Sequence, residues 1–256
     1  MLSRRLLPAV VALFVLSPCV AADFAEGKAG ITISGPIQTG DARRLARFIL
    51  EMPERKDKLL LLLELNSPGG SVEEALKIAQ LVDRGLVQTW VPRGAVCASA
   101  CFIIWAAGQE RSGAPLGRLL VHRLSLGSTS TDIRATERAL SPAGSAVEVL
   151  LSEWGIPRQV LDRMRDTPAS DRFEISDRWL GENHISSAAM HYRPAFLEIA
   201  ERNCGKSPET RVELGEVAPT VARFNSWHDC ADEIRYANQA KEYEDFVSAL
   251  QSLARK

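Results

Sequence analysis

Three short stretches of the sequence bring together residue types that can carry out acyl transfer. Residues 66–70 (NSPGG) place two glycines after an apolar run, and residues 94–101 (GAVCASAC) place Ser99 just ahead of another. His122 follows a third apolar run, 119–121. A double glycine exposes backbone N–H groups that can hold an oxyanion, a serine can act as a nucleophile, and a histidine can take its proton. The spacing thus predicts a nucleophilic site assembled at the ends of secondary-structure elements.

The elements that must position these residues follow an alternating pattern. From Gly30 onward, short apolar runs alternate with segments of helical periodicity, which indicates an α/β layer structure. The predicted strands are residues 31–37, 59–65, 88–92 and 119–121. The predicted helices are residues 39–52, 72–84, 98–107, 130–151 and 158–165, and residues 173–185 close the unit. Ser99 then lies in the first turn of a buried helix, near amide donors that have no partner inside the helix.

Composition and charge limit the class of protein. The chain has 256 residues, of which 46% are hydrophobic, and its 31 basic residues nearly balance 32 acidic ones. Such a chain can bury a sizeable core and has no field that attracts phosphates, so no nucleic-acid partner is expected. After Pro194 we expect a loop rich in glycine, proline and charge, followed by an amphipathic run over 231–253. We therefore predict a main domain over 23–190 and a mainly helical extension over 191–256.

The N-terminal stretch has the pattern of a secretory signal. Arg4 and Arg5 precede an apolar run over 6–16, and mostly small residues follow over 17–22. The apolar run is shorter than the roughly 20 residues that cross a bilayer, so the pattern favours a cleaved signal over a membrane anchor. We expect cleavage after Ala22, which gives a periplasmic or secreted protein.

Export changes what is expected of the cysteines. Cys19 leaves with the signal, because the proline before it argues against a lipoprotein signal, and four cysteines remain in an oxidising compartment. Cys204 and Cys230 are expected to form a disulfide that staples the extension. Cys97 and Cys101 stand four residues apart, so on a helix they either form a second disulfide or fill buried space as small residues.

In combination, the motifs resemble those of the proteolytic subunit of Clp proteases, in the wider Clp/crotonase superfamily. The resemblance covers residues 31–185. Its motifs are the SPGG turn at 67–70, the ASACF segment at 98–102 followed by Ala107-Gly108, VH at 121–122, Gly127 with TDI at 131–133, and RDT at 165–167 leading to DRF at 171–173. The resemblance implies a spiral of β-β-α units with a handle-like long helix, and it implies a homo-oligomer.

The resemblance also assigns roles to individual residues. Ser99 matches the family's nucleophile, His122 its general base and Asp171 the residue that orients the base. Gly70 and Ala100 match the backbone donors of the oxyanion hole. These five residues are the predicted active site, and no cofactor or metal is expected there.

The resemblance implies a serine peptidase, and the expected compartment narrows how it works. The family's proteases receive chains from an ATP-driven unfoldase, whereas the periplasm lacks ATP and the sequence has no Gly-Lys-Ser/Thr phosphate loop. We therefore expect an ATP-independent hydrolase of peptides or unfolded chains, without an ATPase partner. Three features depart from the family. Cys97 and Cys101 flank the nucleophile, Arg123 and Leu124 follow His122 where the family has a proline, and the extension over 191–256 has no counterpart.

Four alternatives remain at this point. The crotonase branch would use the same oxyanion hole on a coenzyme A thioester. A Ser/Lys enzyme would need a lysine near Ser99, and none lies between Lys77 and Lys206. A zinc site with His228 and Cys230 lacks any CxxC or HxxxH pair to support it. The fold can also persist as a catalytically silent scaffold or binding protein of the periplasm.

Overall fold

The computed structural model describes residues 21–27, 30–52, 62–112, 117–124, 146–216 and 221–255. Up to residue 124 the elements are strands β1 (Asp23–Glu26) and β2 (Ile31–Ser34), helix α1 (Asp41–Glu51), strand β3 (Leu62–Asn66), helix α2 (Val72–Arg84), strands β4 (Gln88–Trp90) and β5 (Val96–Ala98), helix α3 (Ala100–Ala106), and strands β6 (Arg111–Ser112) and β7 (Arg118–Val121). From residue 146 they are helix α4 (146–153), helix α5 (Arg158–Asp166), strand β8 (Phe173–Ile175), and helices α6 (Asp177–Glu182), α7 (Ser187–His191), α8 (Pro194–Cys204), α9 (Pro208–Glu213) and α10 (Val221–Arg255).

The described strands form two sheets, as expected of an α/β fold. The first has the order β1-β2-β3-β4-β6, in which β1 is antiparallel to β2 and the remaining pairs are parallel. The second has the order β5-β7-β8. Helices α1 and α2 connect successive parallel strands of the first sheet, because a tight turn cannot join parallel neighbours. The mixed α/β architecture predicted from the sequence is confirmed.

The turn that follows β3 joins the two sheets. Ser67 forms an isolated parallel bridge with Cys97 of β5. The Ser67 carbonyl accepts from Ala98 N–H at 3.0 Å, and Ser67 N–H donates to the Val96 carbonyl at 2.7 Å. The double-glycine segment is therefore hydrogen-bonded to the strand that leads into α3.

Helix α3 lies in the main core. All seven of its residues are buried, which its wholly apolar composition allows. The Trp105 ring stacks on the Phe102 ring with centroids 5.3 Å apart. Burying a large side chain contributes on the order of 1.5–3 kcal/mol, so a deeply packed helix supports the turn that precedes it.

The structure divides the helix that the sequence pattern predicts over 98–107. The chain forms β5 up to Ala98 and begins α3 only at Ala100. Strand β5 has three residues, which is too short for alternation to be recognised in the sequence. The pattern misses β1 and β6 as well, which have four and two residues.

The segment after Pro194 is helical, so the loop expected there is wrong. Helix α8 begins with Pro194 and α9 begins with Pro208, and Ser207 Oγ accepts the Thr210 N–H at 3.0 Å. Proline suits the first turn of a helix, because the N–H that it lacks would have no partner there. The prolines that suggested a loop therefore begin helices.

Helix α10 spans 35 residues and packs against the main core. Phe246 and Leu250 belong to the same buried cluster as residues of α1 and α2. Gln239 Nε2 donates to the Gly85 and Leu86 carbonyls at 2.7 and 3.1 Å. A second buried cluster is formed by Ala188, Tyr192, Phe196, Ala200, Trp227 and Ala231. The extension thus shares its packing with the rest of the fold.

Two predictions lie wholly or partly outside the described residues. Of the predicted signal over 1–22, only Ala21 and Ala22 are described. The long helix predicted over 130–151 is described from residue 146, and from there to residue 151 it is helical. Within the described ranges, no helix is both long and apolar enough to cross a membrane.

Candidate active site

Ser99 occupies a sharp turn between β5 and α3. Its φ of 56° and ψ of −122° lie outside the regions that residues other than glycine normally adopt. Such a conformation costs about 1–3 kcal/mol and persists only where neighbouring contacts impose it. Ser99 N–H donates to the Leu120 carbonyl at 3.0 Å, and the Ser99 carbonyl accepts from Phe102 N–H at 2.9 Å. A strained strand-to-helix turn with a partly exposed serine is the geometry of a nucleophile elbow.

The first glycine of the pair after β3 packs directly against this turn, and the second packs against Ile37. Gly69 has a φ of +95°, and a Cβ there would lie 2.5 Å from the Ala98 carbonyl oxygen and 2.7 Å from Ser99 Cβ. Gly70 has a φ of +142°, and a Cβ there would lie 2.1 Å from the Ile37 carbonyl oxygen. Both positions therefore require glycine, for space as well as for conformation.

The two predicted oxyanion-hole donors are the backbone amides of Gly70, in the glycine turn, and of Ala100, next to Ser99. Ser71 N–H donates to the Ile37 carbonyl at 2.8 Å, but no described residue accepts from Gly70 N–H or Ala100 N–H. Ala100 is the first residue of α3, where amides have no partner inside the helix. Unpaired donors beside a nucleophile suit the role, and the assignment stays a prediction.

His122 lies at the end of β7, beside the serine turn. Strands β5 and β7 pair in parallel with Ala98 opposite Leu120, so Ser99 and His122 follow neighbouring strand ends. The His122 residue is 7% exposed, and Nδ1 lies 2.8 Å from the Arg123 carbonyl oxygen. Because a carbonyl can only accept, Nδ1 carries the proton, and Nε2 is the basic nitrogen of the neutral ring.

The structure does not join the three predicted catalytic side chains by hydrogen bonds. Ser99 Oγ bonds to no described residue, and His122 Nδ1 contacts Arg123 rather than Asp171. The exposed Asp171 carboxylate accepts from Arg172 N–H at 2.7 Å. Catalytic hydrogen bonds are often long or misaligned before substrate binds, so these roles stay predictions.

The backbone nevertheless brings Asp171 toward the end of β7. Strands β7 and β8 pair antiparallel, with Phe173 opposite Val121. Val121 immediately precedes His122, and Asp171 stands two residues before Phe173. The segment that carries the predicted orienting acid therefore runs beside the strand that carries the predicted base.

Ser67 and Thr167 support the site, although sequence analysis assigned them no role. Ser67 is buried, and its hydroxyl oxygen accepts from Gly69 N–H at 3.1 Å. The Thr167 carbonyl accepts from Arg123 N–H at 2.8 Å, next to His122. Both residues lie within the SPGG and RDT motifs, but their hydrogen-bond partners depend on how the turns pack.

A pair of cysteines brackets Ser99. The sulfur atoms of Cys97 in β5 and Cys101 in α3 are 2.00 Å apart, at bonding distance, and both residues are fully buried. The sulfur atoms of Cys204 and Cys230 are 1.97 Å apart and link α8 to α10. A covalent bridge thus closes the nucleophile turn. Among the described residues, no group of three or more His, Cys, Asp or Glu is arranged to hold a metal ion.

A buried arginine ties the end of α3 to later parts of the chain. The Arg111 guanidinium donates to the carbonyls of Ala106, Trp154 and Tyr192 at 3.0, 2.9 and 2.7 Å. Burial lowers the pKa of Arg111 to about 9, with a smaller contribution from the nearby Arg193. The group is still a cation at neutral pH, and its hydrogen bonds indicate a structural role.

Comparison with known families identifies the class of protein. The model of the Clp protease family matches residues 23–167, more than half of the chain. The chain belongs to the Clp protease family. The resemblance and the Clp/crotonase-like fold predicted from the sequence are thereby confirmed.

Solved structures of two proteins are similar to this chain. An alanine-for-serine mutant of the 1510-N membrane-bound stomatin-specific protease has 20% sequence identity and a TM-score of 0.47, over 59% of this chain and 73% of that chain. ClpP1 from Listeria monocytogenes has 18% identity and a TM-score of 0.46, over 59% of this chain and 84% of that chain. A point mutant of ClpP1 has 19% identity and a TM-score of 0.47, over 60% and 86% of the two chains. No curated protein matches the sequence.

Proposed function

We propose that this protein is a serine peptidase that acts outside the cytoplasm, without ATP, on peptides or unfolded chains. The observation that carries the proposal is the strained turn at Ser99, with a φ of 56°, packed against Gly69. Strain of this kind is concentrated at functional sites, where the surrounding structure imposes it. Membership of the Clp protease family supports peptide-bond hydrolysis as the reaction.

In the proposed reaction, Ser99 Oγ attacks the carbonyl carbon of a peptide bond while His122 Nε2 takes the hydroxyl proton. The negative oxygen of the tetrahedral intermediate accepts hydrogen bonds from Gly70 N–H and Ala100 N–H. His122 then gives its proton to the leaving amine, the C–N bond breaks, and an ester remains on Ser99. Water activated by His122 hydrolyses this ester and restores the serine.

Asp171 is the acid that we propose to hold the imidazolium during these steps. Its carboxylate has to replace the Arg123 carbonyl, which lies 2.8 Å from His122 Nδ1. The pairing of Phe173 with Val121 supports this proposal, because the segment that carries Asp171 leads into a strand beside the end of β7. A charged acceptor stabilises an imidazolium more than a neutral carbonyl does, which gives the exchange a driving force.

The proposed location, substrates and oligomeric state follow from the signal-like N-terminal stretch and from membership of the Clp protease family. The signal-like pattern before Asp23 supports export, and an exported enzyme has no ATP to drive an unfoldase. Substrates would then be peptides, unfolded chains or exposed loops. Clp proteases are typically oligomeric, and we propose a homo-oligomer here as well.

Labelling with a fluorophosphonate probe tests the nucleophile directly. The probe reacts with an activated serine, so the purified, oxidised protein should be labelled. Ser99→Ala should abolish labelling, and His122→Ala should slow it by on the order of 10³-fold or more, because the base is lost. Ser152→Ala, which alters an exposed serine of α4, is the matched control and should label like the wild type.

Circular dichroism of each variant separates loss of chemistry from loss of folding. A folded wild-type protein that takes up no probe would contradict the proposal. Labelling that survives in Ser99→Ala would place the reactive serine elsewhere in the chain.

Substitution of Asp171 tests the third catalytic role. Asp171→Asn should slow labelling by about 10²–10⁴-fold, because the amide cannot stabilise the imidazolium as a carboxylate does. The exposed Asp171 makes its described side-chain hydrogen bond to Arg172 N–H, so the fold should tolerate the change. An unchanged rate would leave the Arg123 carbonyl as the group that orients His122.

A catalytically silent scaffold is the second candidate function. The observation that favours it is that His122 bonds to Arg123 while Asp171 bonds to Arg172, which leaves the three predicted catalytic side chains unconnected. A site in this state would bind a chain without cleaving it. The labelling experiment separates the two candidates, because a scaffold would not react with the probe.

A further inference from the structure

Ala22 marks the point at which the chain enters the folded core. It is fully buried, whereas Ala21 before it is partly exposed. The Ala22 backbone nitrogen donates to Asp41 Oδ2 at 3.1 Å, and Asp41 is itself fully buried at the start of α1. Strand β1 begins at the next residue, Asp23. The buried carboxylate therefore lies within hydrogen-bond distance of a nitrogen at the border of the predicted leader.

The buried Asp41 carboxylate is paired with one partly exposed cation. Oδ2 also accepts from Gln38 N–H at 2.8 Å, and Oδ1 accepts from Arg44 Nη1 at 2.8 Å. The Arg44 side chain is 48% exposed, so much of its charge is screened by water. Burying a carboxylate is costly unless it is paired, and a buried cation beside Oδ2 would offset that cost.

The contact also reaches the glycine turn of the candidate active site. Asp41 holds Gln38, and the adjacent Ile37 donates its N–H to the Gly69 carbonyl at 2.8 Å. The Ile37 carbonyl in turn accepts from Ser71 N–H at 2.8 Å. Asp41 thus connects Ala22 by hydrogen bonds to the segment 37–38, which is hydrogen-bonded to the glycine turn.

Two peptide bonds satisfy the small-residue pattern for signal cleavage. Cleavage after Ala22, which the sequence pattern favours, would remove a buried residue of the core and the donor to Asp41. Cleavage after Ala21 would keep both and would turn the Ala22 amide nitrogen into an ammonium 3.1 Å from Asp41 Oδ2. Processing acts on the unfolded chain during export, so the burial of Ala22 does not protect the bond.

We propose that processing occurs between Ala21 and Ala22, and that the new α-ammonium of Ala22 forms a buried ion pair with Asp41. The step is a hydrolysis by the exporting cell's signal peptidase. Water adds across the amide bond, leaving a carboxylate on the leader and an ammonium on the mature chain. The inference rests on the export included in the proposed function and is independent of hydrolysis at Ser99.

Intact mass and N-terminal sequencing of the protein purified after export test the position. The mature chain should begin with Ala22. A chain that begins with Asp23, or a chain that keeps its leader, would overturn the inference.

A double-mutant cycle tests the ion pair. The oxidised chains are released in vitro by cleavage of a fusion protein, so that the first residue of each chain is defined. One chain begins with Ala22, and the other carries one additional glycine before Ala22, which replaces the ammonium by an amide. Each is made in the wild-type background and with Asp41→Asn. The additional glycine should lower the midpoint of thermal unfolding by roughly 4 °C in the wild-type background and by much less in Asp41→Asn.

An additional glycine that lowers the midpoint equally in both backgrounds, or in neither, would contradict the ion pair. Should Asp41→Asn fail to fold, the two wild-type chains decide the matter, since an unchanged midpoint between them excludes the pair. These measurements do not involve Ser99. A chain that begins with Ala22 and shows the coupling, yet takes up no fluorophosphonate, would support this inference while defeating the peptidase proposal.

Discussion

At the scale of single residues, the chemistry of Ser99 depends on its backbone rather than on its type. A serine before a helix usually caps it, but Ser99 makes no side-chain cap hydrogen bond. Its φ of 56° turns the residue away from the capping geometry, and the Leu120 carbonyl and Gly69 hold it there. The hydroxyl is therefore left available for reaction.

Gly69→Ala tests whether the close packing at this turn is needed for activity. An added Cβ would lie 2.5 Å from the Ala98 carbonyl oxygen and 2.7 Å from Ser99 Cβ, so the glycine turn has to move. Because that turn carries the Gly70 N–H, we expect labelling of Ser99 to fall by on the order of 10²–10³-fold, as when one oxyanion donor is lost. The measurement is the rate of fluorophosphonate labelling.

Gly94→Ala is the matched control for this change. Gly94 also has a positive φ, +81°, but a Cβ there would meet no atom within 4 Å. Both variants should lose about 1–2 kcal/mol through the left-handed backbone, whereas Gly94→Ala should keep its labelling rate. Equal labelling in the two variants would show that the contact between Gly69 and Ser99 does not matter for reactivity.

At the scale of elements, the junction of β5 and α3 is held by a covalent bridge. Cys97 belongs to the strand and Cys101 to the helix, so the bridge spans the strained residue between them. The second bridge, between Cys204 and Cys230, joins α8 to α10. The first bridge should therefore affect the reactivity of Ser99, and the second should affect mainly the stability of the fold.

Removal of each bridge should separate reactivity from stability. The cysteines of the first bridge are 4 residues apart and those of the second are 26 apart, so loop-closure entropy predicts losses of about 2 and about 3.5 kcal/mol. Cys97→Ala with Cys101→Ala should also slow labelling at Ser99, because the turn loses the disulfide that spans it. Urea unfolding and labelling rates measured on both double variants check this.

The variant Cys204→Ala with Cys230→Ala serves as the control for labelling. It should be the less stable of the two and should react with the probe at the wild-type rate. The expectation fails if removing the C-terminal bridge slows labelling as much as removing the bridge around Ser99.

At the scale of the whole molecule, the C-terminal extension is part of the core. Helix α10 contributes Phe246 and Leu250 to the main cluster, and Gln239 binds the backbone that follows α2. Arg47 Nε on α1 also donates to the Ala254 carbonyl at 3.0 Å. Removing α10 would expose apolar surface on α1 and α2, so the extension stabilises the fold that carries the site.

Leu250→Ala measures this contribution. Leu250 is 1% exposed, and truncating a buried leucine costs about 2–5 kcal/mol through lost burial and the cavity left behind. Leu214 is 57% exposed, so Leu214→Ala should change the free energy of unfolding by less than about 0.5 kcal/mol. Urea unfolding of both variants is the measurement, and similar values for the two would show that α10 contributes little to the core.

Local signals in the sequence are sufficient for much of the fold. Helix α2 has both of its predicted ends, Val72 and Arg84, because Ser71 caps its first turn and Gly85 follows its last residue. Strand β3 and the motifs around Ser99 and His122 are likewise recognisable in the sequence. The prolines at the starts of α8 and α9 suggest a loop in the sequence, because a proline marks a loop and a helix start equally well.

The sequence by itself determined the α/β class, the family and the residues able to carry chemistry, because these depend on periodicity and on short motifs. Only the tertiary structure decided that Gly69 packs against Ser99 and that α10 shares the core. It alone also placed Ala22 beside Asp41, nineteen residues along the chain. Such contacts join residues that are distant in sequence, and they depend on how all the elements pack together, which no local pattern records.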